Sequence, residues 1–560
     1  MKKEFTILIL ILLLAGVLRF WHLGKAPPSP DWDEASLGYN AYSIMETGRD
    51  EYGKLFPLIL RSFDDYKPGL YVYLAIPAIK IFGLNTFAVR FPAALLGTLA
   101  VLLVYFLVKE LFINGLKRGN KLVNSLTRNK LIALTTSFLL AISPWHIQFS
   151  RIAFESNIGL FLNILVALCF LKSFKKPWLL TLAAFFAGLN IYVYQAEKIF
   201  TPLLVLAMVL IWRKELLKLP WKYLGFAVVI GAISLLPFVY LIFTTPEIFL
   251  RAKGTSFAAD PTPFLAKTAE RILRDYQHHD YLGLILDNRR VTYLITFIRG
   301  YLSHFDLNWL FITGDDARHH APDMGYLYLW ELPFFLLGIY SLLFSKLSRK
   351  TKWLIFSWFL IAPIPASFSS GAPHGVRTLR FLPMLQIFVS FGLLRAWQII
   401  RKKSIVLKFS VTALAVLLLI FNFSYYLNQY FVQQNYYYSQ YWQYGYQEAI
   451  EEIKKIESDY QNIVVSNEPH LDQSYIFFLF YLKYDPRAYQ KAGGTISGGF
   501  AETHQGFSKY TFRPIKWEEE EKIPEILYVG RPNDFPGEAK IVKSINFLDG
   551  EPAIKIVEGL

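Results

Sequence analysis

The sequence predicts a polytopic α-helical membrane protein. Hydrophobic residues make up 54% of the 560 residues, and the mean hydropathy is +0.32. Charged residues make up only 18%, whereas a soluble enzyme carries about a quarter. Apolar runs that approach the thickness of a bilayer recur from residue 5 to residue 424. A chain of this kind crosses the membrane many times.

About eleven transmembrane helices are predicted from these runs. They cover residues 5–21, 91–112, 131–147, 156–172, 178–195, 198–212, 223–243, 326–345, 353–369, 378–395 and 405–424. One further stretch, 70–83, is about fourteen residues long, which is short for a span. Because it also contains Pro77 and Lys80, we expect a juxtamembrane helix there.

The distribution of charge predicts the orientation of the chain. Lysine and arginine cluster in the loops 113–130, 172–176, 213–222, 346–352 and 395–403, whose only acid is Glu215. Such loops are typical of the cytoplasmic side. The N-terminus is therefore expected in the cytoplasm and the C-terminal domain outside it, at the plasma membrane. The net charge of +15 is a topology signal and does not indicate a nucleic-acid partner.

The predicted domains follow from this topology. Residues 1–424 form the transmembrane domain, with outer loops at 22–90 and 244–325. Residues 425–446 are rich in tyrosine and glutamine, which is typical of an interfacial linker. Residues 447–560 are predicted to form a small extracytoplasmic α/β domain, with helices at 447–458 and 476–484 and strands at 462–466, 526–529, 540–547 and 553–557. The lone cysteine, Cys169, excludes an internal disulfide.

The first candidate site residues follow the first span, in Pro30-Asp31-Trp32-Asp33-Glu34. Acids beside a bilayer are costly to desolvate unless they have partners or a task. We interpret Asp33 as a general base for transfer to a hydroxyl group. Glu34 is expected to orient it, bind a metal or contact the acceptor. Asp33 is also a candidate N-cap for a helix over 34–45.

Lys67 is the second candidate, because Pro68 restricts its backbone to an extended conformation. An ammonium fixed at the membrane surface suits a lipid phosphate as a point charge. Two structural alternatives are a snorkelling lysine and an ion pair with Asp64 or Asp65.

Later loops on the same side supply the remaining candidates. Arg151 and Glu155 are four residues apart and are expected either to bind the donor or to form a salt bridge on one helix face. Arg318, His319, His374 and Arg377 are candidates for binding phosphate or sugar, although Arg377, like Arg380, also has the position of a snorkelling residue. A divalent metal ion is a further possibility, with Asp315, Asp316, His319 and His320 as its ligands. Their spacing matches no strong metal signature.

The motifs resemble those of the lipid-phosphate-sugar-dependent membrane glycosyltransferases. This group includes the dolichyl-phosphate-mannose–protein mannosyltransferases and the lipid A aminoarabinose transferases. The resemblance rests on the Asp33-Glu34 pair, on Tyr66-Lys67-Pro68, and on Phe87-Ala88-Val89-Arg90-Phe91-Pro92. It is strongest over residues 1–112. Two departures are Gly69, where the family often has a second proline, and Glu155, where it often has aspartate.

The resemblance implies the GT-C fold and an inverting glycosyltransferase. Its donor would be a polyprenyl-phosphate-linked sugar, mannose or another hexose or pentose, and its acceptor a hydroxyl on a protein, glycan or envelope lipid. By resemblance Asp33 is the catalytic acid residue, Lys67 lies near the donor phosphate, and Arg151 matches an arginine after the third span. No cofactor beyond the possible metal ion is expected.

Two other classes of function fit a polytopic chain. A lipid or glycan transporter or flippase would place ionisable residues near the bilayer midplane, within paired broken helices and internal repeats. Here the acids lie at span ends, and no repeat is visible. A membrane-anchored binding protein acting through its C-terminal domain would leave the Asp33 and Lys67 loop without a role.

Overall fold

The fold is described from a computed structural model that covers residues 2–63, 65–113, 122–260, 262–495 and 504–559. The predicted ion pair of Lys67 with Asp64 lies outside these residues. The α-helices are α1 (Lys2–Phe20), α2 (Trp32–Thr47), α3 (Leu70–Phe82), α4 (Thr86–Ile113), α5 (Leu122–Ile142), α6 (Pro144–Ser150), α7 (Ser156–Ser173), α8 (Leu179–Asn190), α9 (Glu197–Leu216), α10 (Trp221–Thr244), α11 (Leu250–Thr255), α12 (Thr262–Gln277), α13 (Tyr281–Leu286), α14 (Arg289–Ser303), α15 (Glu331–Leu343), α16 (Arg349–Ile361), α17 (Met384–Ile400), α18 (Ile405–Asn428), α19 (Gln434–Tyr438), α20 (Tyr446–Ile456), α21 (Ser474–Leu482) and α22 (Pro486–Lys491). The strands are β1 (Ile59–Ser62), β2 (Asp65–Pro68), β3 (Asn462–Val465), β4 (His504–Phe507), β5 (Tyr510–Phe512), β6 (Ile526–Gly530), β7 (Ile541–Asn546) and β8 (Pro552–Glu558).

The prediction of a polytopic helical membrane protein is confirmed. Each predicted span overlaps a helix, although the span predicted at 131–147 is divided between α5 and α6. Among the described residues, six helices are long and apolar enough to cross a membrane, or seven if the bent pair α5 and α6 counts as one span. The helices α8 and α15 are apolar but shorter. The count of eleven spans therefore stays a prediction.

The break between α5 and α6 directs the chain toward the candidate site. Pro144 has no amide hydrogen and cannot continue the hydrogen bonding of α5. Ser143 instead caps α6 and accepts a hydrogen bond from the His146 amide at 3.4 Å. The two helix axes differ in direction by 58°. Residues 151–155 consequently form a turn between α6 and α7.

A buried ion pair ties three parts of the helical bundle together. The Arg380 guanidinium donates to Glu197 Oε1 at 2.6 Å, and both side chains are fully buried. The other carboxylate oxygen of Glu197 accepts hydrogen bonds from Asn163 and Thr201 at 2.7 and 3.0 Å. Arg380 is therefore not the snorkelling residue that the sequence allowed. It links the start of α9 to α7 and to the segment before α17.

The C-terminal residues form a six-stranded mixed sheet with the order β4-β5-β3-β6-β8-β7. Strand β3 is parallel to β5 and β6, and the other pairs are antiparallel. The predicted strands coincide with β3, β6, β7 and β8, while β4 and β5 were not predicted. The apolar helix α21 packs against α2, where a Cβ on Gly38 would lie 2.7 Å from the Phe480 ring. The C-terminal region thus supports the helix that carries Asp33.

Candidate functional site

The candidate site is a cavity of about 240 Å³, called here the polar cavity. It lies where α2, the β1–β2 hairpin, the turn before α7, the segment before α9 and the loops 314–320 and 374–377 meet. Its lining residues are Asp33, Lys67, Pro68, Ala153, Phe154, Glu155, Tyr194, Gln195, Asp316, Arg318, His319, His374, Val376 and Arg377. Seven of the residues predicted for catalysis or donor binding are in this lining. Glu34, Arg151, Asp315 and His320 are not.

Asp33 lies in the first turn of α2, where the helix dipole favours a carboxylate. The helix begins at Trp32, two residues earlier than predicted. Its N-cap is Asp31, which accepts a hydrogen bond from the Glu34 amide at 2.9 Å. Asp33 is therefore not the cap, and its side chain is 27% exposed at the cavity wall. An aspartate followed three residues later by glutamate is a capping pattern, so this part of the sequence contained the signal.

Lys67 forms an ion pair with Asp33 across the cavity wall. It lies in β2, whose antiparallel pairing with β1 sets Lys67 opposite Leu60. Its ammonium donates to Asp33 Oδ1, and its side chain is 10% exposed. The cavity therefore brings together an acid and a cation that are 34 residues apart in the sequence.

Glu34 lies behind the cavity wall, although the sequence predicted it as a catalytic partner of Asp33. Arg90 donates to both of its carboxylate oxygens, at 2.9 and 2.7 Å. The Ala153 amide donates to the same carboxylate at 2.8 Å. Both charged side chains are fully buried. Glu34 thus fixes the start of α2 to α4 and to the turn before α7.

Arg151 also lies outside the cavity, where the sequence predicted a donor-binding residue. Its guanidinium donates to the carbonyl oxygens of Leu18, Trp21 and Ala26 at 2.9, 2.6 and 2.9 Å. The predicted placement of Arg151 and Glu155 on one helix is wrong, because both lie in the connection between α6 and α7. Arg151 therefore satisfies carbonyl groups at the C-terminal end of α1. Glu155 lines the cavity.

Arg318 is held at the opposite wall by Asp31, a residue that the sequence analysis did not select. The guanidinium donates to Asp31 Oδ2 at 3.0 Å and lies over the Trp32 ring at 5.2 Å. Asp31 is fully buried. Burial raises its pKa to about 7, although the charge of Arg318 opposes the shift. The start of α2 thereby positions a cation as well as the Asp33 carboxylate.

Asp315 connects the two histidine-containing loops. Its Oδ1 accepts hydrogen bonds from Tyr326 at 2.5 Å and His319 at 2.9 Å, and its Oδ2 accepts one from the Gly375 amide at 2.6 Å. Burial alone would raise the pKa of Asp315, but the hydrogen bonds from His319 and Tyr326 hold that pKa well below its usual value. A Cβ on Gly375 would lie 2.1 Å from the Tyr326 hydroxyl, so the close approach requires glycine.

The predicted metal site is only partly assembled. Ligand atoms of Asp315, His319 and His374 lie within 4.8 Å of one another, and such a donor set suits zinc. His320 is not part of this cluster, because its ring nitrogens face the carbonyl oxygens of Ala321 and Asp315. The carboxylate of Asp315 already accepts three hydrogen bonds, which occupy most of its roughly four acceptor sites. The geometry fits a hydrogen-bonded carboxylate–histidine pair better than a metal centre.

A second cavity, called here the apolar cavity, adjoins the polar one. Its volume is about 400 Å³, and it shares Tyr194, Gln195 and Arg377 with the polar cavity. Its other lining residues, which are mostly apolar, are Ala196, Lys198, Ile199, Phe238, Ile248, Phe249, Thr255, Ser256, Pro365, Phe368 and Ser369. Together the two cavities suit an amphipathic ligand with an anionic head and an apolar tail.

Known proteins resemble this chain in sequence over one segment and in fold over its whole length. A family model described as PMT, dolichyl-phosphate-mannose-protein mannosyltransferase, matches residues 9–116. No curated protein sequence matches the chain. The match over 9–116 confirms the predicted resemblance to the lipid-phosphate-sugar-dependent glycosyltransferases.

The fold is similar to that of ArnT from Cupriavidus metallidurans. The structure of ArnT bound to undecaprenyl phosphate is 11% identical, with a TM-score of 0.56 and coverage of 99% of this chain and 98% of that chain. Apo ArnT is 12% identical, with a TM-score of 0.54 and coverage of 99% and 97%. The Archaeoglobus fulgidus oligosaccharyltransferase is 15% identical, with a TM-score of 0.49 over 85% of this chain and 63% of that chain. This chain therefore spans less than two thirds of the oligosaccharyltransferase.

Proposed function

We propose that this protein is an inverting glycosyltransferase that moves a sugar from a polyprenyl-phosphate carrier to a hydroxyl acceptor. The observation that carries the proposal is the Asp33–Lys67 pair, which lines a polar cavity that continues into an apolar one. Transfer to a hydroxyl needs a base for the acceptor proton and a cation for the departing phosphate. The pair supplies one group of each kind.

The donor lies across both cavities in this proposal. Its phosphate binds Lys67 and Arg377 in the polar cavity. Arg318 and His319 lie on the wall opposite Lys67. The first isoprene units of the lipid occupy the apolar cavity. Arg377 lines both cavities and therefore meets the phosphate where the tail begins. The sugar contacts His374 and Glu155. The undecaprenyl phosphate bound to ArnT belongs to the same chemical class of carrier, which supports this choice of donor.

The Asp33–Lys67 ion pair requires the donor to bind before the acceptor is deprotonated. A donor phosphate competes with Asp33 for the Lys67 ammonium. When the ammonium turns to the phosphate, the Asp33 carboxylate loses its counter-charge and becomes a better proton acceptor. The acceptor oxygen then bonds to the anomeric carbon while its proton passes to Asp33. The bond from the anomeric carbon to the phosphate oxygen breaks, and its electron pair leaves with the phosphate, whose charge Lys67 and Arg377 stabilise.

The reaction takes place on the outer face of the plasma membrane in this proposal. The basic loops support a cytoplasmic N-terminus, and an odd number of spans would put the C-terminal region outside. A reporter enzyme fused after residue 560 tests this orientation. We expect activity only from a reporter that functions outside the cytoplasm, and activity of a cytoplasmic reporter would contradict the orientation.

The donor class is tested with purified enzyme and membrane extract as the acceptor source. Radiolabelled polyprenyl-phosphate sugars, with mannose, other hexoses or pentoses, are supplied in parallel with the matching nucleotide sugars. We expect transfer only from a lipid-linked donor, and the labelled product identifies both sugar and acceptor. Transfer from a nucleotide sugar in the absence of lipid carrier would overturn the proposal.

A further inference from the structure

A further cavity, called here the third cavity, lies among the helices α7, α8, α9 and α10. Its volume is about 440 Å³, which is within the range of about 300–1,000 Å³ that is usual for ligand sites. Every residue that lines it is apolar except Arg213. Three alanines, Ala183, Ala184 and Ala187, line it from α8, and their small side chains leave space between α8 and the helices around it.

The third cavity and the apolar cavity lie at opposite ends of α9. Lys198 and Ile199 line the apolar cavity at the start of this helix, whereas Arg213 and Leu216 line the third cavity near its end. The helix rises about 22 Å from Lys198 to Arg213, which is most of the hydrocarbon thickness of a bilayer, about 30 Å. A lipid in the third cavity therefore belongs to the other leaflet of the membrane.

The third cavity is closed toward the protein and open toward the bilayer. Val166, Phe170 and Met208 at its floor are buried. Leu217 and Val228 at its rim are 80% and 72% exposed. Val228 lies on α10, which is long and apolar enough to span a membrane. Exposed apolar side chains on such a helix face lipid, so an acyl chain can enter the cavity from the side.

The opening of the third cavity is positively charged. Arg213 is exposed, and Lys214 and Lys218 follow it in the same basic segment. The acid of this segment, Glu215, forms an ion pair with Lys350 of α16. No carboxylate among the described residues pairs with Arg213. Basic pockets between membrane helices bind the anionic headgroups of lipids on the cytoplasmic side, and a phosphate would give Arg213 a counter-charge.

We propose that the third cavity binds an anionic phospholipid from the leaflet beside the basic loops, with an acyl chain against α8 and the headgroup phosphate at Arg213. Under the predicted orientation this is the cytoplasmic leaflet. Inorganic phosphate would gain nothing from the apolar lining. A zwitterionic lipid would bring its own cation close to Arg213. The inference does not rest on the proposed transfer reaction, because the site lies at the other end of the bundle.

Native mass spectrometry of the purified protein in detergent tests the headgroup site. The probes are phosphatidylglycerol and phosphatidylcholine with identical acyl chains. We expect the wild type to retain one phosphatidylglycerol about fivefold more tightly than phosphatidylcholine, because one cation near a membrane surface contributes about that much. Arg213→Gln should reduce this preference to less than about twofold. Arg401→Gln, at an exposed arginine in another basic loop, is the matched control and should keep the preference.

A second variant tests the acyl-chain site. Ala184→Phe places a ring inside the third cavity and should weaken the binding of both phospholipids about tenfold, because the chain loses apolar contact area. Val229→Phe is the matched control, since Val229 is 52% exposed on α10 and does not line the cavity. It should bind both lipids as the wild type does.

Three results would overturn the inference: equal affinity of the wild type for the two phospholipids, the same preference in Arg213→Gln as in the wild type, or unchanged binding in a folded Ala184→Phe protein. Displacement of phosphatidylglycerol by undecaprenyl phosphate that Arg213→Gln abolishes would also overturn it, because the cavity would then be a second carrier site. If Ala184→Phe does not fold, Arg213→Gln decides, because its exposed side chain is not needed for packing.

Discussion

Asp33 and Glu34 are adjacent in the sequence, but their side chains lie in different electrostatic surroundings. Asp33 pairs with Lys67 at the cavity wall, and the two side chains are 27% and 10% exposed. Glu34 pairs with Arg90 inside the protein, where both are fully buried. A pair near water can exchange one partner for a ligand, whereas breaking a buried pair leaves an uncompensated charge. The comparison separates a pair suited to chemistry from a pair that holds the fold.

The largest effect on stability is expected at the buried pair. Glu34→Gln leaves the Arg90 charge unpaired and should lower the free energy of unfolding by about 3–5 kcal/mol. Thermal denaturation in detergent measures the change. The control Glu46→Gln removes a carboxylate whose partner Arg487 is 67% exposed, so it should change stability by less than about 1 kcal/mol. A Glu34→Gln protein that is as stable as wild type but inactive would assign Glu34 to catalysis.

Glu51 differs from both Asp33 and Glu34, because it is a buried carboxylate whose hydrogen-bond partners are neutral. Glu51 accepts hydrogen bonds from Asn40, Tyr475 and Thr495 at 2.8, 3.1 and 2.8 Å, and burial raises its pKa to about 7. The folded state therefore binds its proton more tightly than the unfolded state. Its contribution is fully present below pH 4.5 and is lost as the pH rises through 7, a change of roughly 3 kcal/mol. Thermal denaturation between pH 5 and 8 should show that the stability of the wild type falls as the pH rises. Glu51→Gln should make this pH dependence smaller by the contribution of Glu51, while buried Asp31, whose pKa is also raised to about 7, keeps its own contribution. An unchanged pH dependence in Glu51→Gln would contradict the prediction.

A smaller effect, on activity alone, is expected at the exposed pair. Lys67→Met removes one charge-assisted contact to phosphate, worth about 1.5–3 kcal/mol, so kcat/KM for the lipid donor should fall about 10- to 100-fold. Stability should change little, because Asp33 keeps contact with water. Lys54→Met, an exposed lysine in the same connecting segment, is the control. Equal losses in the two variants would remove Lys67 from the donor site.

The smallest effect is expected in the apolar cavity. Phe249 lines it and is 41% exposed, while the neighbouring Leu250 is 45% exposed and does not line it. Phe249→Asp should raise KM for long-chain donors about fivefold, since partial burial of a phenylalanine contributes about 1 kcal/mol. Donors with a ten-carbon tail should be affected less than long-chain donors. Leu250→Asp should leave KM unchanged, and a loss independent of tail length would contradict the proposed tail site.

Features encoded by local sequence were predictable. Apolar runs indicated the long apolar helices but not the helices α11 to α14 in the predicted outer loop 244–325. The restricted backbone before Pro68 indicated the extended conformation of Lys67. The capping pattern from Asp31 to Glu34 was also readable, although it was not used. In each case the structural feature is caused by residues that are close together in the sequence.

Features that depend on distant partners were not predictable. Glu34 meets Arg90 56 residues away, and Arg318 meets Asp31 287 residues away. Nothing in the local sequence separates a buried structural arginine such as Arg151 from a cavity-lining one such as Arg377. Only the folded chain divides the charged residues into those behind the cavity and those lining it.

The central claim, that Asp33 is the base of a lipid-dependent transferase, is tested most directly by Asp33→Asn with a radiolabelled polyprenyl-phosphate sugar. We predict that the purified variant folds and binds the donor while transfer falls about 10²- to 10⁴-fold, as expected for loss of a general base. Transfer at a near-normal rate by a folded Asp33→Asn protein would contradict it.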